Sequence, residues 1–258
     1  MPELPEVEVF RRSFAARGLG VPVATVEVWT RRTLQDITPE DLSGALEGHS
    51  FVSAGRHGKY LFAGLDTGNA LVLHFGMAGS LVYLGGGPAP PHTRVLIAFR
   101  NEKCLAYDDP RLFGRVTLAG SIEEFVRARK LGPDALDIPF ERFAEVIPGR
   151  DTSVKSALMN QQLMAGLGNI YSDEVLFQAG IHPLRMTAGL SRDELDRLYR
   201  AMRDVLAAAI ASGADPSRMP EGFLIPHRRN GDACPSGGVV QKLTISGRSA
   251  YFCPDCQK

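Results

Sequence analysis

The 258-residue chain has no run of about eighteen apolar residues, and its first residues lack the apolar core of a signal peptide. The first absence excludes a membrane-spanning helix, and the second argues against export, so the expected location is intracellular and cytoplasmic, with no membrane partner. Cysteine is scarce, at four residues. Three of the four (Cys234, Cys253 and Cys256) fall near the end of the chain, which looks like a metal site rather than a disulfide framework. Net charge is absent as well, 29 basic residues facing 29 acidic ones, so composition gives no direct argument for a nucleic-acid partner. Distribution does more. Residues 217–258 carry Arg218, Arg228, Arg229, Lys242, Arg248 and Lys258 against Glu221, Asp232 and Asp255, a basic C-terminal face on a neutral protein. No internal repeat is visible. With 44% hydrophobic and 22% charged residues, the chain is long enough for one large domain or two smaller ones.

Residues 5–17 predict a helix, with Val7, Phe10 and Phe14 on one face and Gly18 and Gly20 ending it. From Val21 to about Gly120 the pattern becomes short β-like runs, among them 24–29, 60–65, 71–75, 80–84, 94–99 and 115–118. Many short strands with frequent turn signals predict an antiparallel sandwich or barrel. The Gly- and Pro-rich stretch 85–91 reads as a mobile surface loop. Beyond Gly120 the chain turns helical: one helix from Ser121, a second over 139–146, and a pair over 153–164 and 169–178 joined by Ala-Gly-Leu-Gly. The capping box Ser191-Arg-Asp-Glu194 opens a long helix to about Ser212. The expected class is α+β with two lobes linked near residues 120–134. An N-terminal antiparallel β-sandwich with its helix covers 1–120, a helical domain covers 121–228, and a β-hairpin with the size of a zinc module covers 229–258.

The chain begins Met1-Pro2-Glu3-Leu4-Pro5-Glu6. Removal of Met1, which the small Pro2 permits, leaves a secondary amine. An α-amino group titrates near ~7.7–8.0, so part of it is unprotonated at neutral pH and can attack an electrophilic carbon. Pro and Glu in a first turn are also ordinary helix-start residues, and the hexapeptide alone leaves both readings open.

Together with Gly58-Lys59-Tyr60, His74-Phe-Gly-Met77-Ala-Gly79 and Asp109-Pro-Arg111-Leu-Phe113-Gly114, this start resembles the formamidopyrimidine-DNA glycosylase family of base-excision repair enzymes. The resemblance continues through Gly166-Leu-Gly-Asn169-Ile-Tyr171 and ends in Cys253-Pro-Asp-Cys256-Gln-Lys258, so it spans nearly the whole chain in order. It implies a bifunctional glycosylase and abasic-site lyase acting on oxidised purines in damaged double-stranded DNA, as a monomer. Pro2 is then the nucleophile at C1′ of the lesion, Glu3 the general acid/base, Glu6 a residue orienting the amine, and Lys59 a cation at the flanking phosphate or the sugar. Because the amine is secondary, its adduct is an iminium, which opens a path to elimination of both phosphates. Met77, Arg111 and Phe113 would fill the space left by a flipped nucleotide. Met77 and Phe113 could equally be core residues, but Arg111 beside them argues against that, since an unpaired buried Arg is costly. His74, Lys155, Asn169 and Arg248 are the further DNA-contacting residues implied, Lys155 and Asn169 as phosphate ligands at a helix–two-turn–helix whose glycines let a phosphate approach.

The chain departs from the family pattern in four places. Cys234-Pro-Ser runs directly into Gly237-Gly238, so the fourth cysteine of the expected zinc site is missing. Structural zinc takes four ligands, and three thiolates leave one position for water, Asp232, His227 or nothing. A three-thiolate zinc site, a metal-free hairpin held by packing and a sequence short by one residue all fit. Zn2+ on Cys234, Cys253 and Cys256 is the expectation carried forward. Asn160 stands where the family has Asp, the segment 214–223 is about a dozen residues short, and His227 replaces a Tyr. The alternatives are an endonuclease VIII-like enzyme with another lesion preference, which Leu4 disfavours, and a protein that binds damaged or abasic DNA without turnover.

Overall fold

A computed structural model describes all 258 residues. The chain divides into two compact units, one of Met1–Pro2 with Glu6–Arg129 and one of Glu3–Pro5 with Lys130–Lys258. None of the helices is long and apolar enough to cross a membrane.

Helix α1 (Leu4–Arg17) contributes its residues from Glu6 onward to the first unit. There Val7 and Phe14 are buried, as their helical spacing predicts. After β1 (Val23–Val28) comes α2 (Pro39–Leu46), absent from the expected elements. Its signal is Thr38-Pro39-Glu40-Asp41, a capping box in which the Asp41 N–H donates to Thr38 Oγ1 at 3.1 Å and the Thr38 N–H to Asp41 Oδ2 at 2.9 Å. Strands β2 (Phe51–His57), β3 (Tyr60–Leu65), β4 (Ala70–His74), β5 (Ser80–Leu84), β6 (Thr93–Phe99), β7 (Cys104–Asp108) and β8 (Arg115–Ala119) follow. They form two antiparallel four-stranded sheets, ordered β2-β3-β4-β8 and β1-β6-β7-β5. Along β6 burial alternates residue by residue, the period-2 mark of a half-buried strand. Phe51, Leu61, Leu73, Ile97, Phe99 and Val116 pack in one shared core, the interior of the expected sandwich. Residues 85–88 are exposed and lie in no strand. Helix α3 (Ile122–Ala128) lays Phe125 against the rings of Tyr60 and Phe62, at 5.0 and 5.4 Å between centroids.

The second unit holds α4 (Phe140–Val146), α5 (Val154–Met159), α6 (Asn169–Ala179), α7 (Arg192–Ala211) and a hairpin of β9 (Gln241–Ile245) and β10 (Arg248–Phe252). In α7 the Ser191/Glu194 box closes as expected, and Leu195, Leu198, Met202, Val205, Leu206 and Ala209 make its buried stripe. Helix α5 ends at Met159 rather than at 164. The side chain of Gln161 takes over the turn, its Nε2 donating to the carbonyls of Met159 and Leu167 at 2.8 Å each while its Oε1 accepts from the Gly166 N–H at 3.0 Å. Asn160 supplies the acceptor for the Gln162 N–H at 3.0 Å, through its side-chain carbonyl oxygen. The hairpin turns through Ser246 and Gly247, both at positive φ (49° and 74°), which matches a tight two-residue loop between Ile245 and Arg248.

Candidate active site

In the first unit Pro2 is half-buried behind an exposed Met1. Glu6 is half-buried in the first turn of α1. Lys59 is 9% exposed and follows Gly58, whose φ of 55° makes the turn between β2 and β3. Arg56 donates to the Gly58 carbonyl at 3.1 Å and to Glu8 at 3.3 Å, so this turn is tied to α1. Glu8 is itself buried. Burial raises its carboxyl, but hydrogen bonds from Arg11 and Arg12 at 2.8 Å and the charges of Arg11 and Arg56 overcome that and hold it down at about 2. His74 closes β4 beside the Tyr60 ring, at 4.9 Å. Burial, then the charges of Lys59, Arg115 and Arg129, push it down to about 4, so the ring is neutral at neutral pH. The Gly76 N–H donates to His74 Nδ1 at 3.3 Å, which leaves the ring proton on Nε2 as an uncharged donor.

Two loops of the same unit carry the three expected void-filling residues. Buried Asp109 pins one of them: its Oδ1 accepts from the Arg111 N–H at 3.1 Å and its Oδ2 from the Gly114 N–H at 2.7 Å. Leu112 between them is forced to φ 56°. Gly76 in the other loop also has φ 55°, and a Cβ there would meet the Phe113 carbonyl carbon at 2.4 Å, so the loops touch backbone to backbone. This contact holds the loop that carries Met77 against the backbone of Phe113 and Gly114. Met77 is 42% and Phe113 51% exposed, which rules out the core reading of both, and the Arg111 guanidinium lies 5.3 Å from the Phe113 ring centre.

In the second unit Glu3 is fully buried at the start of α6. Its carboxylate accepts backbone N–H bonds from Gly168 at 2.5 Å, Ile170 at 2.8 Å and Tyr171 at 3.4 Å. Those are donors that a helix start leaves open, and the helix dipole favours an anion there. A Cβ at Gly168 would lie 2.4–2.8 Å from that carboxyl group, and one at Gly166 (φ 128°) would lie 2.4 Å from Leu4. The expectation that these glycines admit a phosphate is therefore corrected: they admit Glu3 and Leu4.

Lys155 is corrected too. Its side chain has no exposed surface, and Nζ donates to Asp173 Oδ1 at 2.5 Å, Ser172 Oγ at 3.1 Å and the Asn169 carbonyl at 3.2 Å. All three donors are used inside the unit, so none faces a phosphate. Burial lowers its pKa and Asp173 pushes back. Asn169 opens α6, and its Oδ1 is buried without a partner, the kind of atom that calls for an explanation. Arg248 flanks the hairpin turn beside an open cavity of about 270 Å³ lined by Ser156, Met159, Asn160 and Ser246. Sequence reasoning assigned no role to Asp109 or Arg56. Asp109 carried a readable signal in Asp-Pro-Arg, the start of an Asx turn, whereas nothing local marks Arg56.

The sulfurs of Cys234, Cys253 and Cys256 lie within 4.8 Å of one another, and neither Asp232 nor His227 joins them. The Gly237 carbonyl lies 3.4 Å from Cys253 Sγ and 3.8 Å from Cys256 Sγ. Three soft donors at this spacing fit a thiophilic metal such as zinc, with the fourth position left to something other than a side chain.

Comparison with known proteins identifies the family. The family model of the formamidopyrimidine-DNA glycosylase N-terminal domain matches residues 1–116, and that of the same family's H2TH domain matches residues 131–221. The formamidopyrimidine-DNA glycosylases of Solibacter usitatus and Geobacter metallireducens are 38% and 39% identical to the chain, each covering all of both proteins. A solved structure of Lactococcus lactis Fpg with abasic-site DNA superposes with a TM-score of 0.90 at 29% identity over both whole chains, and so does one with N7-benzyl-Fapy-dG DNA. The chain belongs to the formamidopyrimidine-DNA glycosylase family.

Proposed function

We propose that this protein excises oxidised purines, formamidopyrimidines and 8-oxoguanine, from double-stranded DNA through a covalent step at Pro2 and then cleaves the strand. The observation that carries the reading is the fixed, buried carboxylate of Glu3, one residue from the amine that removal of Met1 exposes. The Pro2 nitrogen attacks C1′ and the base leaves with the electrons of the N-glycosidic bond. Collapse to the iminium breaks the bond from C1′ to the ring oxygen, and that oxygen needs a proton, which Glu3 is placed in sequence to handle. The iminium acidifies C2′. Loss of that proton expels the 3′ phosphate, a further proton loss expels the 5′ phosphate, and water releases Pro2. Glu6 orients the amine, and Lys59 meets phosphate or sugar.

Before this, the nucleotide must leave the stack, at a cost of a few kcal/mol. Arg111 pairs with the orphaned base, Phe113 wedges the stack and Met77 fills the gap. The Nε2–H of His74, the carboxamide of Asn169 and the guanidinium of Arg248 meet phosphates, while Lys155 acts as a positioning residue that holds Asp173 and the Asn169 carbonyl. Zinc on Cys234, Cys253 and Cys256 would crosslink the hairpin end. The functional divisions follow the expected boundaries, 1–120, 121–228 and 229–258, and the protein works as a monomer in the cytoplasm. In support, the matching Lactococcus lactis structures hold abasic and Fapy-type DNA.

The test is a duplex carrying one 8-oxoguanine or formamidopyrimidine. The expected product is a one-nucleotide gap flanked by two phosphates. An intact strand with either lesion, or a product stopping at the abasic site, would overturn the reading.

A further inference from the structure

Arg228, which the proposed mechanism does not use, joins the hairpin to α6. Its Nε donates to Asp173 Oδ2 at 2.8 Å, and its Nη2 lies 2.7 Å from an Asp173 carboxylate oxygen and donates to the Asn169 carbonyl at 3.1 Å. Asp173 Oδ2 also accepts the Tyr251 N–H from β10 at 3.2 Å, and the guanidinium lies 4.7 Å from the Tyr251 ring centre. Asp173 is fully buried, with Lys155 on its other oxygen. The segment leading into Arg228 is fixed by buried Glu174, which accepts from the Leu224 N–H at 3.0 Å and the Ile225 N–H at 2.7 Å. At the far end the Gln257 side chain bridges the Cys253 N–H and the Ile181 carbonyl, each at 2.9 Å, and Lys258 exchanges backbone bonds with Gly180 and His182. None of these contacts uses a cysteine sulfur.

We infer that Asp173, Arg228 and Tyr251 form a clamp that holds the hairpin against the helices without a metal, with Arg228 the positioning residue for Arg248. A hairpin docked this way tolerates the missing fourth cysteine. Arg228 of the clamp also grips the Asn169 carbonyl, so the clamp sets two of the groups proposed to meet phosphate, Asn169 and Arg248. The docking claim stands on the contacts alone, and only its effect on DNA rests on the proposed function.

The test uses the full chain, as purified and after chelation with metal content measured. It reads hydrogen exchange over 241–252 without DNA, and affinity for a duplex with a stable abasic-site analogue. In wild type, chelation should change exchange and Kd by less than about threefold. Arg228→Met should speed exchange and raise Kd by about tenfold or more, with or without metal, while the single-turnover rate at saturating DNA stays within about threefold. Arg228→Lys, which keeps the charge but loses the planar fork and the ring stacking, should fall between. Free exchange of the chelated wild-type hairpin, or an unchanged hairpin in Arg228→Met, would overturn the clamp. If Arg228→Met does not fold, Tyr251→Leu takes its place with the same expected direction. Failure of every version to bind duplex would count against the proposed function, and the exchange data would still decide the clamp.

Discussion

The carboxylate proposed to handle protons next to Pro2 must keep one orientation to do so, and three backbone N–H groups at the start of α6 fix Glu3 in one. Gly168 is where this can be tested. Its φ is negative (−128°) but its ψ of −148° lies outside the broad β region, so a methyl group there acts mainly by collision with Glu3 and adds a little backbone strain. Gly168→Ala should slow base release and strand cleavage by about 10²-fold or more, the scale of a lost general acid/base. Its cost in stability should stay at about 1–2 kcal/mol. In single-turnover assays the double variant with Glu3→Gln should be little slower than Glu3→Gln alone, because both remove the same group. Additive losses would separate Gly168 from Glu3. Pro2, Glu3, Lys59, Met77, Arg111 and Phe113 can be proposed from the sequence because each sits in a short contiguous motif. The partnership of Glu3 with Gly168 cannot, since 165 residues separate them. The resemblance implies a phosphate ligand at Lys155, and only the fold brings Asp173 to it.

At the scale of elements, the loops from Gly76 and from Asp109 present large side chains to solvent without letting them collapse into the core. Asp109 does this with two charge-assisted hydrogen bonds to the backbone of its own loop. Asp109→Ala strands the buried Gly114 N–H and should cost about 1–3 kcal/mol of stability. It should also slow nucleotide flipping, read by a fluorescent base analogue next to the lesion. Normal flipping with the full loss of stability would mean the loop geometry is irrelevant to opening DNA. Short strands between turn signals pointed to the sandwich, a capping box to α7, and size with turn chemistry to the hairpin. Such signals failed where a side chain replaced backbone: Gln161 ends α5 early, a substitution that no helical periodicity encodes. Helix α2 carried a full capping-box sequence and was readable in principle.

For the whole molecule, buried Glu8 and half-buried His74 divide the acid response into separate windows. His74 is held at about 4 against an ordinary 6.5, so folding favours its neutral form. Its contribution is complete above pH 6.5 and is lost as pH falls from there through about 4. Glu8 is held at about 2 against 4.5, so its contribution is present above pH 4.5 and is lost as pH falls through about 2. Denaturant titrations against pH should show both limbs, His74→Gln flattening the upper one and Glu8→Gln the lower. A single limb insensitive to both variants would contradict this assignment.

The central claim is covalent chemistry at Pro2, and borohydride trapping tests it most directly. The protein is incubated with duplex DNA carrying 8-oxoguanine opposite cytosine, reduced, digested and mapped by mass spectrometry. The account predicts a chain lacking Met1 with the reduced sugar on the nitrogen of Pro2. A trapped sugar on Lys59, or strand cleavage with no trapped adduct, would contradict it.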